Sequence, residues 1–240
     1  HYSECIAQMP CCYQPNDSTR ARPAAVSREQ CGLPEEATFV FASFNMSYKI
    51  VPEVFDAWCC ILEATPGSVL WLLVKYAPAR QRLREAACRH GLDPDRLIFA
   101  PFLPPDMHRA RLPLADLCLD TFPCGGHTTA SDALWAGVPV LALLGKSFAS
   151  RVAASLLNTL GLQDLVCHDI DQYMQSAISW AQDPIAFQEL KVRLESGRVQ
   201  SPLFDGRRFA GDFERLLLRM VERQDAGLPP APLDAEIHVV

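Results

Sequence analysis

Apolar residues are grouped along the chain in short continuous runs, and these alternate with stretches in which apolar residues recur every three or four positions. The runs are rich in β-branched and aromatic residues, a composition that predicts strands. The six predicted strands span residues 38–44, 68–76, 96–102, 114–122, 138–144 and 164–167. The second run, SVLWLLVKY, is almost continuously apolar, which is typical of a strand buried on both faces of a sheet.

Between these runs the apolar residues have helical spacing. In PEVFDAWCCILEA, which Pro52 opens, Val54, Phe55, Trp58 and Ile61 fall on one helical face. Helices are predicted at 52–64, 79–91, 104–111, 128–137, 147–161, 170–182, 184–197 and 206–223. Repeated alternation of strands and helices predicts the α/β class, with a doubly wound, Rossmann-like parallel sheet of five to six strands. In such folds ligands bind beyond the carboxyl ends of the strands.

Composition divides the chain into three parts. Residues 1–35 are irregular and rich in proline, cysteine and polar residues, and they are predicted to be a connecting segment. Residues 36–223 carry the strand and helix pattern of one lobe, and the proline-rich residues 224–240 are predicted to be a flexible tail. Because the chain opens without an initiator methionine, in sequence typical of the middle of a domain, we expect it to be part of a longer protein.

Charge and hydropathy argue against two classes of partner. A net charge of −6 gives no general attraction to nucleic acid or to a membrane surface. No apolar stretch approaches the roughly 20 residues that a membrane span needs. The first ten residues lack the basic start and apolar run of a signal peptide.

The ten cysteines do not have the spacing of a disulfide framework or of a zinc site. Two pairs, Cys11-Cys12 and Cys59-Cys60, are adjacent in sequence, and the chain contains no CxxC motif. We therefore expect a reducing, cytoplasmic location. The acidic residues and histidines are dispersed and form no HExxH motif, so no metal site is predicted.

The stretch CGGHTT at 124–129 follows a predicted strand and precedes a predicted helix. Amino ends of helices bind phosphate, because their N–H groups are free and the helix dipole is positive there. The two glycines lack a Cβ and let a ligand approach the backbone, while the histidine and the threonines add donors. A helix cap with a tight turn is the alternative, but it explains only one threonine and one glycine. The predicted phosphate ligands are Gly126, His127, Thr128 and Thr129.

Four further polar residues are predicted near the same sheet edge, each with an alternative. Asp132, one turn into that helix, is placed to accept from ribose hydroxyls or to stabilise the helix dipole. Lys49 follows the first strand and is either a diphosphate ligand or a solvated loop lysine. His108 and Arg111 follow the third strand and either recognise a base or lie at an exposed helix start.

The tripeptide GKS at 145–147 also lies between a strand and a helix, as a phosphate-binding P-loop would. The P-loop pattern needs a glycine five positions earlier, where this chain has Val140. A P-loop is therefore not predicted.

Six motifs stand in a fixed order along the chain: FNMSYKI, SVLWLLVKY, RLIFAPF, LADLCLDTFPCGGHTTASDALWAGVPVLAL, SFASRVAASLL and SPLF. The same motifs, in the same order and spacing, occur in the O-GlcNAc transferase/SPINDLY family of glycosyltransferases. The chain therefore resembles this family over nearly all of residues 1–223.

The resemblance implies a GT-B architecture, in which two Rossmann-like lobes hold the sugar nucleotide between them. This chain would be the carboxyl-terminal, nucleotide-binding lobe, with residues 1–35 leading from a missing amino-terminal lobe. The resemblance also implies UDP-GlcNAc as donor substrate, Ser/Thr of proteins as acceptor, inversion at the anomeric carbon, and neither metal nor cofactor. The amino-terminal lobe and the helical repeats that read the acceptor are absent from this chain, so it should bind nucleotide but transfer little by itself.

The resemblance also implies a role for each candidate residue. Lys49 would be catalytic, contacting the diphosphate and stabilising the departing UDP, with Cys124 lining the pocket for the N-acetyl group. The other implied contacts are His127, Thr128 and Thr129 with the phosphates, Asp132 with ribose, His108 stacked near uracil and Arg111 beside the base.

The chain departs from the family pattern at two positions. It has Met46 where animal enzymes have glutamine, and Pro105 where they have a lysine near the base. A GDP-fucose-dependent protein O-fucosyltransferase, like the plant SPINDLY branch, is therefore the alternative enzyme. The loop of that branch lacks the histidine, so His127 favours UDP-GlcNAc.

Two further alternatives are not enzymes. One is a non-catalytic nucleotide-binding module, and the other is an interaction scaffold that docks a partner through the cysteine-rich start. Retention of both Lys49 and the phosphate loop favours the enzyme, because a scaffold needs neither.

Overall fold

The computed structural model of the protein describes residues 2–17, 19 and 25–235. The chain divides into two compact units, one comprising Ala21–Arg198 and the other His1–Arg20 with Val199–Val240. The larger unit contains a six-stranded sheet in the order β3-β2-β1-β4-β5-β6, and every neighbouring pair is parallel. The predicted α/β class and parallel sheet are thereby confirmed.

The strands are shorter than the apolar runs that predicted them. They are β1 (Val40–Ser43), β2 (Val69–Leu72), β3 (Leu97–Phe99), β4 (Leu117–Leu119), β5 (Val140–Leu143) and β6 (Val166–Cys167). In the run 114–122 only three residues pair in the sheet, and the last three, Asp120 to Phe122, leave it as the start of a loop. β1 and β2 are buried along their whole length, as the continuous apolar run predicts.

All eight predicted helices are present, with shifted ends. They are α1 (Pro52–Ala64), α2 (Ala77–Arg89), α3 (Pro105–Arg111), α4 (Thr128–Trp135), α5 (Val152–Thr159), α6 (Ile170–Gln182), α7 (Pro184–Gln200) and α8 (Gly206–Asp225). The largest shift is at α5, which begins five residues later than predicted. There Ser147 and Ser150 form a capping box over a separate 3₁₀ turn, so the α-helix starts only after it.

Two buried hydrogen bonds, made by side chains of α1 and α6, fix the end of β4, where the loop 120–127 begins. The Tyr173 hydroxyl of α6 donates to the backbone carbonyl of Asp120 at 3.0 Å. The same hydroxyl accepts from Trp58 Nε1 of α1 at 3.1 Å. Tyr173 and Trp58 have no exposed surface, so each hydrogen bond replaces one that water would otherwise make.

The smaller unit has its own internal bonds. Asn16 Nδ2 donates to the carbonyls of Gln14 and Leu203, each at 3.1 Å. A single parallel bridge joins Ala7 to Leu233. Among the residues that the structure describes, no helix combines the length and the apolar character needed to cross a bilayer.

Replacing Tyr173 with phenylalanine should lower the free energy of unfolding by about 1–3 kcal/mol, because a buried N–H and a buried carbonyl lose their partner. Urea denaturation of the full-length protein would measure the change. Tyr76→Phe is the matched control, since Tyr76 is 63% exposed and its hydroxyl is not part of the core. Equal stability of the Tyr173→Phe variant and wild type would show that this bond does not hold the end of β4.

Candidate functional site

The sheet order places a crevice between β1 and β4. The chain proceeds from β1 towards β2 and β3 on one side, and from β4 towards β5 and β6 on the other. The loops that leave the carboxyl ends of β1 and β4 therefore diverge, and the space between them is where open α/β sheets bind ligands. The loops that lead to Lys49 and to the predicted phosphate ligands, residues 44–51 and 120–127, both start at this point.

Lys49 and the glycine loop come together across the crevice. Lys49 ends a 3₁₀ turn after β1, and its Nζ donates to the backbone carbonyl of Gly125 at 2.7 Å. The side chain is half-buried, so the alternative of a solvated loop lysine does not describe it. An ammonium group carries three N–H donors, which leaves Lys49 able to bind an anion while it holds the loop.

The amino end of α4 opens at the same place. His127 is the residue before the helix, and its backbone carbonyl accepts from Ser131 N at 3.0 Å. The N-cap residue is His127 rather than a threonine, and its side chain makes no capping hydrogen bond, so the alternative of a threonine cap does not describe this end. The backbone N–H groups of Thr128, Thr129 and Ala130 precede the first intrahelical bond and form the positive end of the helix dipole.

His127 lies beside Lys49 and an exposed aromatic ring. Its ring packs edge-on against Phe148, with centroids 5.9 Å apart. Burial, and then the positive charge of Lys49, lowers the pKa of His127 below its usual value. The neutral imidazole therefore predominates at neutral pH, where it acts as a hydrogen-bonding group rather than as a cation.

Sequence reasoning missed a buried polar network beneath the loop. Asp120 Oδ1 accepts from the Gly126 amide at 2.6 Å and from the Thr121 amide at 2.9 Å. It also accepts from Asn45 Nδ2 at 2.9 Å. The Oδ1 atom of Asn45 in turn accepts from the Thr129 hydroxyl at 2.6 Å. One carboxylate thus joins the ends of β1 and β4 to the start of α4.

This network gives the paired glycines a second purpose. A Cβ on Gly125 would lie 2.6 Å from Asp120 Oδ2, and one on Gly126 would lie 2.6 Å from Thr129 Oγ1. Both distances are shorter than real Cβ contacts, so no other residue fits at either position without a shift. The glycines are therefore needed to accommodate the side chains of Asp120 and Thr129, independently of any ligand.

Burial raises the pKa of Asp120 to about 6. The amide donors of Gly126, Asn45 and Thr121 oppose the shift, and so does the charge of Lys49. The side chain is therefore ionised at neutral pH, although it is only 6% exposed. A buried carboxylate is maintained only where the protein supplies enough donors, and here three N–H groups do so.

Arg111 fixes the orientation and the tautomer of His108. Nε and Nη2 of Arg111 lie 3.1 and 2.8 Å from His108 Nδ1. A guanidinium can only donate, so Nδ1 is the acceptor and the proton of the neutral ring is on Nε2. Burial, and then the charge of Arg111, lowers the pKa of His108 to about 4, which keeps the ring neutral.

Aromatic rings hold this pair in place. The Arg111 guanidinium lies 5.3 Å from the Phe44 ring centre and 5.7 Å from that of Trp71, and the His108 ring meets Phe44 edge-on at 5.1 Å. Arg111 is only 1% exposed, so the alternative of an exposed helix start does not describe it. Its hydrogen bonds and aromatic contacts are those of a residue that holds His108 in place. That Arg111 lies beside a base stays a prediction.

Asp132 and Cys124 occupy two different parts of the site. Asp132 borders a cavity of about 310 Å³ that also touches Arg109, Leu114 and Trp135. Its negative charge acts to raise the pKa of His108, against the larger effects of burial and of Arg111. Cys124 lies in the glycine loop, half-buried, and its carbonyl accepts from the Thr121 hydroxyl at 2.7 Å.

Within the described part of the chain, no three His, Cys, Asp or Glu side chains are grouped so that they could hold a metal ion. Lys49 and the amino end of α4 are positive groups at the crevice.

Comparison with protein families gives a match to glycosyl transferase family 41 over residues 8–213. Among curated proteins, the chain is 37% identical over 236 residues to a probable UDP-N-acetylglucosamine--peptide N-acetylglucosaminyltransferase, SEC, of Arabidopsis thaliana. It is 39% identical over 203 residues to the UDP-N-acetylglucosamine--peptide N-acetylglucosaminyltransferase of Caenorhabditis elegans. These matches cover 95% and 85% of this chain but only 24% and 18% of the relatives.

Solved structures give the same result for the fold. A mutant O-GlcNAc transferase of Thermobaculum terrenum matches with a TM-score of 0.80 and 30% identity, over 89% of this chain and 40% of that one. The lipopolysaccharide glycosyltransferase WaaG matches with a TM-score of 0.57 and 15% identity, over 78% of this chain and 49% of that one. The second likeness shows the fold alone. Together they confirm the predicted Rossmann-like lobe of the GT-B architecture.

Ionisation of Asp120 should make stability fall as pH rises from about 4 to about 6. Its folded pKa of about 6 is higher than the roughly 3.9 of an unfolded aspartate, so in this window the folded state binds more protons. The free energy of unfolding of wild type, relative to Asp120→Asn, should drop by on the order of 2 to 3 kcal/mol across the window. Urea denaturation of both proteins at several pH values measures this, and a difference that does not vary with pH would contradict it.

Proposed function

The chain belongs to glycosyl transferase family 41, and from this membership and the geometry of the crevice we propose that it is the nucleotide-binding lobe of a protein O-GlcNAc transferase. The enzyme would move GlcNAc from UDP-GlcNAc to serine and threonine residues of proteins. One observation carries the proposal: Lys49 and the uncapped amino end of α4 converge at the point where the β1 and β4 loops diverge. Two independent sources of positive charge then lie at the same edge of the sheet.

The proposed chemistry is stabilisation of the leaving group. As the bond from the anomeric carbon to UDP breaks, negative charge grows on the diphosphate. Lys49 and the first-turn N–H groups of α4 are already in place to meet that charge, with His127 and Thr128 as further donors. We propose that these groups suffice without a metal ion, and that transfer inverts the anomeric centre as the family resemblance implies.

Contacts with the nucleoside are proposed on the other side of the crevice. His108, neutral and with Nε2–H free of Arg111, would stack near uracil and offer one donor to its edge. Arg111 would act beside the base chiefly by holding that ring. Asp132 would accept from ribose hydroxyls, and Cys124 would line the pocket for the N-acetyl group of the sugar.

The identity of the donor has one alternative. Met46 stands beside Lys49, is 47% exposed and carries no polar group, and Pro105 begins α3 where a lysine is expected near the base. A GDP-fucose-dependent protein O-fucosyltransferase remains the second candidate for this reason. We favour UDP-GlcNAc because His127 occupies the loop and because the relatives above are named for UDP-N-acetylglucosamine.

The remaining parts of the enzyme are also proposals. The chain spans less than a quarter of the length of the two curated relatives described. We propose that residues 1–35 connect to an amino-terminal catalytic lobe, that residues 36–223 form the nucleotide-binding lobe, and that 224–240 are a tail. Helical repeats outside this chain would read the acceptor protein. All ten cysteines are free thiols, which supports a reducing, cytoplasmic location.

Peptide glycosylation by the full-length protein tests the function. We expect transfer from UDP-GlcNAc, little from GDP-fucose, and no loss of rate when EDTA is added. Transfer from GDP-fucose alone would select the alternative enzyme, and full inhibition by EDTA would overturn the metal-free mechanism. Absence of transfer from either donor, with UDP still bound, would leave the non-catalytic module.

In the same assay Lys49→Ala should lower turnover by about 100-fold or more while raising the Michaelis constant for the donor far less, because its charge is needed mainly in the transition state. Lys146→Ala is the matched control. Lys146 follows β5 at the same sheet edge, in the GKS tripeptide that lacks the P-loop glycine. A Lys49→Ala enzyme with normal turnover would remove Lys49 from the mechanism.

A further inference from the structure

The buried network beneath the glycine loop has a fixed direction of hydrogen bonding. An ionised carboxylate can only accept, so Asp120 requires the Asn45 amide to present its NH₂ group. That orientation turns Asn45 Oδ1 towards Thr129, whose hydroxyl then donates to it at 2.6 Å. The acceptor atom Asp120 Oδ1 therefore determines, through Asn45, where the Thr129 proton points.

Two groups with the chemistry of phosphate ligands are thus engaged before any ligand arrives. The Gly126 amide donates to Asp120 at 2.6 Å, and the Thr129 hydroxyl donates to Asn45. Neither proton is directed into the crevice. Thr128, which is exposed, and the first-turn N–H groups of α4 have no such engagement with the network.

The anchoring side chains are out of reach of a ligand. Asn45 is 5% exposed and Asp120 is 6% exposed, and both lie under the backbone of the loop. Any effect that they have on an anion in the crevice must pass through the loop and through α4. Asn45 also donates to Thr121 Oγ1 at 2.9 Å, so its amide group is satisfied on both sides.

Resting on the proposed function, we propose that Asp120 and Asn45 are positioning residues, which hold the amino end of α4 and the glycine loop in the geometry that binds the diphosphate. Thr129 is the link between α4 and these residues rather than a direct donor to phosphate. The loop is then ordered in advance, and the ligand does not have to supply the energy that orders it.

The charges around Asp120 fit this assignment. Lys49 is the cation that faces the carboxylate, Tyr173 and Cys118 are its neutral titratable neighbours, and His127 is kept neutral beside Lys49. An amide at position 120 would avoid a buried charge, but its oxygen would accept these three hydrogen bonds more weakly than a carboxylate does. The structure retains the carboxylate at a cost in stability, as is common where geometry serves function.

Calorimetric titration of the full-length protein with UDP tests the proposal, with Asn45→Ala as the main variant. This variant leaves the Thr129 hydroxyl in place but removes its acceptor. If Thr129 is the link, affinity for UDP should fall about tenfold or more. If Thr129 is instead a direct donor, the released hydroxyl would bind phosphate at least as well, and affinity would be unchanged or higher.

Thr129→Val should lose affinity and Thr129→Ser should retain it, because only serine keeps a hydroxyl that can donate to Asn45. One matched control reports on the same region. Ser43→Ala removes a hydroxyl that is buried at the end of β1 and has no hydrogen-bond partner among the described residues. This variant should bind UDP as wild type does.

If Asn45→Ala does not fold, variants that exchange the side chains at positions 45 and 120 provide the test. Asn45→Asp alone sets two carboxylates together and should weaken binding, while Asn45→Asp combined with Asp120→Asn restores one acid and one amide and should recover it. Wild-type affinity in Asn45→Ala or in Asn45→Asp would overturn the positioning role while wild type still binds UDP. Failure of wild type itself to bind UDP would overturn the proposed function instead.

Discussion

A carboxylate that is removed from water must take its hydrogen bonds from the protein around it, and at Asp120 it does so from both sides of the crevice. Its donors are the Gly126 amide, the Thr121 amide and the Asn45 side chain. Several other features follow from this one group. The glycines at 125 and 126 leave space for it. Asn45, two residues after β1, donates to it through Nδ2 and accepts from Thr129 of α4 through Oδ1.

The sheet makes this arrangement possible, because β1 and β4 are neighbours although about 75 residues separate their ends in sequence. Parallel pairing brings their carboxyl ends to the same edge, and the two loops then meet above Asp120. Tyr173, which is bound to Trp58, donates to the carbonyl of Asp120 at the end of β4. Lys49 donates to the carbonyl of Gly125 in the loop that follows. The positive charge of the crevice thus lies over a buried negative charge, and an incoming diphosphate would meet the positive side.

Much of the fold could be predicted from the sequence, because apolar periodicity fixes which segments are strands and which are helices. The ends of elements were less certain, as at α5, where a capping box delays the helix. Lys49 and the CGGHTT loop were predicted at one sheet edge because both follow strands. Asp120 and Asn45 were missed because one stood inside an apolar run and the other in a loop. A signal was present, since each is a polar side chain that follows the end of a strand by one or two residues, and the doubly wound order makes these two strands neighbours. Arg111 is predicted beside a base. That it is buried against Phe44 and bound to His108 follows from the three-dimensional structure, since Phe44 is distant from it in sequence.

The central claim is that the diphosphate of a sugar nucleotide binds between Lys49 and the amino end of α4. A crystal structure of the full-length protein with UDP tests it most directly. Diphosphate oxygens should lie about 2.7–3.2 Å from Lys49 Nζ and from the first-turn amides of α4, at Thr128 and Thr129. Asp120 should keep its bond to the Gly126 amide in that structure. A diphosphate bound away from α4, or a Lys49 side chain turned out of the crevice, would contradict the account.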